Sequence, residues 1–332
     1  MMVSPRVWIG SKPCLFARSV FDTLIPSSQV SVGTPVRDHH HADRAVVSVH
    51  EESNGVISLS SLEDSTGIPM GRARPCSSME SSPCPTTLVD PSLVSIPNPQ
   101  ARHPFVRLAV VGLILDPTCQ HLLITRRPNY MRSFPGAWVF PGGTIHPNEP
   151  LSQAIQREVY EETGLATSTT NWTMECLWES VYPTTFEKTG DTNGNKNNDQ
   201  FFVSPDQIQA HHLVIFLSTI LSEPSALKLC PEEVDGAVWL SKDHVSQIIQ
   251  YRRTKHQEED PVSNQYLALH TTSSKESQGL TVPLHQLLGI YPQKVTHSND
   301  DTGNPSLTTT ACGMAQGSLF ALEEFYNKHW NG

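Results

Sequence analysis

Three carboxylates, Glu158, Glu161 and Glu162, stand within five consecutive positions, downstream of a double glycine, Gly142-Gly143. On a helix they occupy positions i, i+3 and i+4 and project from one face. Like charges so spaced repel each other, at about 0.2–0.5 kcal/mol per pair. A hard divalent cation reverses the sign of that interaction. Mg²⁺ takes carboxylate oxygens and keeps waters or phosphate oxygens in its other positions. The face therefore suits one or more Mg²⁺ or Mn²⁺ ions set against a phosphate chain. Upstream, the glycine pair lets the backbone take positive φ and approach its neighbours closely. A loop folding back from the helix would bring Glu149 to Arg157, and that pair would pin the loop to the helix. The plainer reading of Arg-Glu-x-x-Glu-Glu is a solvated helix face, and the glutamates alone do not decide against it.

The wider spacing does decide. Gly143, Glu149, Arg157-Glu158-Val159, Glu161-Glu162 and Gly164-Leu165 match the pattern G-x5-E-x7-R-E-U-x-E-E-x-G-U, with U aliphatic, at every fixed position. On these residues the chain resembles the Nudix hydrolase family over roughly 105–250, and "FPGAWVFPGG" resembles that family's approach strand. The resemblance implies hydrolysis of a nucleoside diphosphate linked to another moiety, with Mg²⁺ or Mn²⁺ as cofactor. It implies that Glu158 and Glu162 are metal ligands and that Glu161 is a ligand or the base that activates water. Gly143 would offer a backbone carbonyl, Arg157 and Glu149 would form the supporting pair, and Gly142 would give the turn its freedom. A Nudix fold kept only as a non-catalytic binding module is the rival of another class, and the intact carboxylate set counts against it.

The elements that must carry these residues are legible as patterns. "FVRLAVVGLILD" and "HLLITRR" read as strands joined by a hairpin at 117–120, and "AWVFPGG" as a short strand stopped by Pro and Gly. "LSQAIQREVYEE" has helical composition, and Gly164 follows it as a C′ residue would. "MECLWESVYP", "HHLVIFLSTI" and "VDGAVWLS" read as strands; "KDHVSQIIQYRR" and "GSLFALEEFYNKHW" read as helices. The order predicts an α/β fold, an α/β/α sandwich on a mixed β-sheet. The N-terminal "RVWIGSKPCLFARSVFDTLI" reads as a strand and a short amphipathic helix rather than a transit peptide. Residues 51–100 hold eleven Ser and seven Pro. That composition predicts a linker that buries too little to offset its ordering entropy. The expected organisation is an N-terminal segment 1–50, a linker 51–104, a hydrolase domain 105–250 and a C-terminal extension 251–332. The run Asp38-His39-His40-His41 reads as a polar turn, and 186–204 as a long exposed loop.

Residues outside the box bear on the substrate. Between 102 and 132 stand Arg102, Arg107, Arg126, Arg127 and Arg132 with a single acid, Asp116, a local basic stretch in an acidic chain. Phosphate or RNA-backbone contacts would use it, Arg126 and Arg127 among them. Ordinary exposed strand positions are the alternative. Trp178 and Tyr182 are four apart and share one face of a strand. They read either as core or as rings that stack on a base, where a methylated guanine would add a cation–π attraction. The flanks "LWESVYP", "HHLVIFL", "FARSV" and "FALEEF" resemble a vertebrate branch of the family described as m7GpppN-mRNA hydrolases. The resemblance implies decapping of 7-methylguanosine-capped RNA with release of 7-methyl-GDP. The alternative substrates are small nucleoside diphosphate derivatives such as ADP-ribose, NADH or coenzyme A.

Composition narrows the partners. A net charge of −10 argues against broad, nonspecific binding of DNA or RNA. Seven cysteines, none in CxxC spacing, predict reduced thiols rather than a disulfide framework. Apolar runs such as 213–217 are too short to span a bilayer, so no membrane partner is expected. The expected setting is cytoplasmic.

Overall fold

The computed structural model describes residues 6–14, 19–25, 31–32, 42–61, 67–73, 76–77, 105–182, 185–186, 210–253, 265–271, 280–288, 293–294 and 311–331. In chain order the elements begin with β1 (Val7–Ile9), β2 (Lys12–Pro13), α1 (Val20–Leu24), β3 (Ser31–Val32), β4 (Ala42–Glu51), β5 (Ile57–Ser61), β6 (Ile68–Ala73) and β7 (Cys76–Ser77). The box and its flanks follow: β8 (Arg107–Leu115), β9 (His121–Arg126), β10 (Trp138–Val139), β11 (Gly142–Thr144), α2 (Leu151–Thr163) and β12 (Thr173–Tyr182). Then come β13 (Thr185–Phe186), β14 (Ala210–Ile220), β15 (Gly236–Ser241), α3 (Lys242–Arg253), β16 (Tyr266–Ala268), β17 (Thr281–Pro283), α4 (His285–Leu288), β18 (Gln293–Lys294), β19 (Ala311–Cys312) and α5 (Gln316–His329). They group into two units. One is Met1–Val111, Gly143–Ile155 and Trp172–Leu217; the other is Gly112–Gly142, Gln156–Asn171 and Ser218–Gly332.

In the first unit the strand order is β14-β12-β6-β4-β5-β1-β2, with β3 along β4. β12 runs parallel to β6 and β1 parallel to β5, whereas β4 is antiparallel to both β5 and β6. The sheet is mixed and the class is α/β, as the pattern predicts. The N-terminal strand and short helix also form as read, with Val7, Val20 and Phe21 buried. The linker expectation is corrected over its first part. β5 and β6 lie inside the Ser/Pro-rich stretch and are paired strands. Ile57 and Leu59 face the core at 0% and 2% exposure while Ser60 points to solvent. Composition averaged over fifty residues conceals this local period-2 alternation, and pairing satisfies the backbone groups that a linker would leave to water. Residues 78–104, like the His39–His41 run, the loop 187–209 and Arg102, lie outside the described residues.

In the second unit β9 is flanked by β10 and β8, and β15 pairs antiparallel along β9 from Gly236↔Arg126 to Ser241↔His121. The β8–β9 hairpin closes on Asp116, whose carboxylate accepts the backbone N–H groups of Gln120 and His121, each at 2.9 Å. Helix α5 docks on α3 through a Tyr326–Ser246 hydroxyl contact of 3.1 Å and an Arg253–Glu323 ion pair of 2.6 Å. No helix among the described residues is long and apolar enough to cross a membrane.

Helix α2 exists because Leu151, Ala154, Ile155 and Val159 recur at helical spacing and are all buried. It stops at Gly164, whose φ of +71° favours glycine and whose N–H bonds to the Tyr160 carbonyl at 2.9 Å. A Cβ at Gly164 would lie 2.8 Å from the Lys228 Cβ, so the position is closed to side chains twice over.

Candidate metal centre

The apolar stripe of α2 decides which way its carboxylates face. With Ile155 and Val159 in the core, Glu158 and Glu162 are drawn to the edge of burial, at 8% and 5% exposure. The Glu161 side chain is 52% exposed. The loop ahead of β15 is stitched to the C-terminal end of the helix: Lys228 N–H donates to the Thr163 carbonyl at 2.8 Å and Cys230 N–H to the Glu162 carbonyl at 3.0 Å. A turn then follows, in which Glu233 and Val234 donate to the Cys230 carbonyl at 3.1 and 2.9 Å. This turn presents Glu233 to the helix. Carboxylate oxygens of Glu158, Glu162 and Glu233 all lie within 4.8 Å of one another.

Electrostatics describe the strain in this cluster. Burial raises the Glu158 carboxyl above its ordinary range, although the Arg157 hydrogen bond and charge oppose the shift. Burial, with Glu158 and Glu233 adding their charge, pushes Glu162 well above its ordinary range; Arg127 and the Gly142 N–H act the other way. That N–H donates to Glu162 Oε2 at 3.2 Å, which is how the glycine turn before the box touches the carboxylate set. Arg157 donates from Nη1 to Glu158 at 2.8 Å and to Glu161 at 3.0 Å, and so spaces the two glutamates. Three clustered carboxylates, two of them buried, supply oxygen donors for a hard divalent cation and gain from its charge. The residues present fit a hard divalent cation.

The other sequence-derived residues fall unevenly around this core. Gly143 follows Gly142 in β11, and Glu149 accepts the His146 N–H at 2.8 Å in the loop that leads to α2. Arg126 is engaged by Asp235 at 2.6 Å and lies over the Trp138 ring. Arg127 Nε donates to the Ser133 carbonyl at 3.1 Å. Trp178 is corrected: at 4% exposure on β12, where it stands beside Gly71 of β6, it is a core side chain with no open face for a base. The Tyr182 backbone ends β12, and its side chain lies outside the described residues.

Glu233 went unread in the sequence. The signal was "CPEEVDG", two acids ahead of a strand, and an acidic surface turn looks the same. Its partners stand about seventy residues earlier, beyond the reach of any local pattern.

Known proteins resemble this chain in both sequence and fold. The model of the NUDIX domain matches residues 106–262. The m7GpppN-mRNA hydrolase NUDT17 of Danio rerio is 33% identical over 216 residues, 62% of this chain and 62% of that protein. The NUDT17 proteins of Xenopus laevis and Homo sapiens are 31% and 29% identical over 42% and 40% of this chain, and 43% and 38% of theirs. The chain thus spans less than two thirds of the length of these relatives. A MutT/nudix family protein from Enterococcus faecalis superposes with a TM-score of 0.33 at 14% identity, over 67% of this chain and 61% of that one.

Proposed function

We propose, on the premise that this chain carries a Nudix domain over residues 106–262, that it is a metal-dependent pyrophosphohydrolase of 7-methylguanosine-capped RNA. Water adds across one anhydride of the triphosphate bridge, giving 7-methyl-GDP and an RNA with a 5′-monophosphate. The observation that carries the hydrolase reading is the Glu158–Glu162–Glu233 group, with its oxygens within 4.8 Å. The cap is supported by the relatives, whose names describe m7GpppN-mRNA hydrolases. A cytoplasmic setting belongs to the same proposal.

Glu158, Glu162 and Glu233 would hold the cation. A cation held there would supply charge to neutralise phosphate oxygens and would lower the pKa of water enough to make hydroxide available at neutral pH. Glu161, exposed and hydrogen-bonded to Arg157, would be a further ligand or the base that takes a proton from water. Arg157, hydrogen-bonded to both, would offset the repulsion between Glu158 and Glu161 and hold them in orientation. Arg127, whose charge acts on Glu162, would meet a phosphate of the substrate.

Small nucleoside diphosphate derivatives remain the second reading, favoured by the burial of Trp178, which removes one ring that would have read the methylated base. The test sets m7GpppN-RNA, unmethylated GpppN-RNA, ADP-ribose, NADH and coenzyme A side by side with Mg²⁺ or Mn²⁺, using wild type and Glu162→Gln. The expected result is the highest kcat/KM on the methylated cap and its loss in the variant. A higher kcat/KM on a dinucleotide or on coenzyme A replaces the cap reading. Failure to hydrolyse any of the five leaves a binding module.

A further inference from the structure

The N-terminal strands do more than extend a sheet. Arg6, just ahead of β1, donates from Nη1 to the His146 carbonyl and from Nη2 to the carbonyls of Asn54, Gly55 and Glu149, the last three at 2.8, 3.2 and 3.1 Å. One guanidinium thus bridges the β4–β5 turn and the loop inside the box that leads to α2. Gly55 makes the close approach possible: its φ is +72°, and a Cβ there would fall 2.2 Å from the Glu149 carbonyl oxygen. One residue into the helix, the Leu151 N–H donates to Glu51 Oε1 at 2.8 Å. That N–H is one of the donors a helix start leaves without an intrahelical partner, and a carboxylate there also meets the positive end of the helix dipole. All of these residues belong to the first unit.

We propose that Arg6, ahead of β1, and the β4–β5 turn with Glu51 form a built-in positioning element for the metal-binding helix, with Arg6 and Glu51 as its positioning residues. The inference rests on the reading that α2 holds a divalent cation. The helix runs unbroken from Leu151 to Thr163. A helix is stiff over this length, so a shift at its first residue is carried along the rod to Glu158 and Glu162. A displacement of about 1 Å at reacting groups costs on the order of 100-fold in rate. Arg6 suits the task because its planar fork offers five donors in fixed directions; a lysine at that place offers a point charge on a flexible stem. Glu51 and Arg6 touch neither the carboxylate cluster nor, in this reading, the substrate. They act through the loop and the helix start.

The experiment uses the full chain and four proteins: wild type, Arg6→Lys, Glu51→Ala and Glu51→Gln. Mn²⁺ binding is read without substrate by the electron paramagnetic resonance of the free ion, and kcat and KM on capped RNA are measured beside it. Arg6→Lys and Glu51→Ala are expected to weaken Mn²⁺ binding by about 10-fold, the lower end of what loss of a ligand-orienting partner does. They should lower kcat with little change in KM. Glu51→Gln keeps an oxygen that accepts the Leu151 N–H and is expected to recover most of the affinity. Wild-type Mn²⁺ affinity in both Arg6→Lys and Glu51→Ala overturns the inference. So does a Glu51→Gln as weak as Glu51→Ala, and so does loss of helical circular dichroism in both weakened variants, which would make the contacts part of the fold alone. A wild-type chain that binds Mn²⁺ but leaves capped RNA intact defeats the cap reading, while the binding arm still decides the positioning. A wild-type chain that binds no Mn²⁺ defeats the metal reading and the inference with it.

Discussion

Glu162 on helix α2 and Glu233 on the turn before β15 bring their carboxylate oxygens within 4.8 Å of each other, with Glu158 completing the group. The turn is held there by the Cys230 N–H on the Glu162 carbonyl, so helix end and turn move as one. Glu233→Gln is expected to weaken Mn²⁺ binding and lower kcat by about 10–100-fold each, a loss typical when a metal's surroundings lose one anionic partner. Calorimetric Mn²⁺ titration beside a decapping assay checks it; unchanged affinity would remove Glu233 from the centre.

Glu162→Gln tests the box itself. Turnover should fall by roughly two or more orders of magnitude, because the variant loses one of the anionic groups that would hold the cation set against the developing phosphate charge. The cation-free fold should hold, because the substitution removes a buried carboxylate that burial and its neighbours already disfavour as an anion. Near wild-type turnover in this variant would reject the proposed centre.

Trp178 separates core from base platform. Trp178→Ala should cost about 3–5 kcal/mol of stability, the usual loss for a buried aromatic. The surviving folded enzyme should lose activity on methylated and unmethylated caps by the same factor. A selective rise in KM for the methylated cap would show that the ring meets the base after all.

Glu179 predicts a pH response of the first unit. Its buried carboxylate accepts from Ser19 Oγ at 2.8 Å, from Val20 N–H at 2.6 Å and from Phe21 N–H at 3.1 Å, and it pairs with His211 Nε2 at 2.9 Å. Burial pushes its pKa up, but the His211 hydrogen bond and charge, with Arg72 and Ser19, outweigh it and hold the carboxyl below its ordinary value of 4.5. A folded pKa below the unfolded one means that the unfolded chain binds the proton first as pH falls. The stabilisation is therefore fully present above about pH 4.5 and is lost as pH drops through the depressed folded value. Melting temperature measured against pH should fall through that window in wild type and much less steeply in Glu179→Gln. The variant should itself be about 3–5 kcal/mol less stable at neutral pH, because it breaks a buried charged network. Parallel melting curves for the two proteins across that window would rule out Glu179 as the source.

The box was legible because its geometry is local. Three glutamates at i, i+3 and i+4 share a face on any helix, and the helix itself was written in the spacing of Leu151, Ala154, Ile155 and Val159 and in the glycine that ends it. The hairpin at Asp116 and the helices α3 and α5 were legible for the same reason: each is decided within a few residues by periodicity and turn chemistry. What lay beyond sequence was every pairing between distant segments. Glu233 reads as a solvated acid until a turn anchored on Glu162 and Thr163 delivers it to the helix. Trp178 reads as a base platform or a core ring until the folded sheet buries it. Residues 57–61 and 68–73 read as linker until β4, β12 and β1 supply partners for their backbone groups, and Arg6 means nothing until four carbonyls from two loops converge on it. The short-range pattern of this chain determined which residues could bind a cation. Only the tertiary structure decided which carboxylate joins them and what holds their helix in place, because long-range contacts pay their loop-closure entropy only when the whole sheet forms around them.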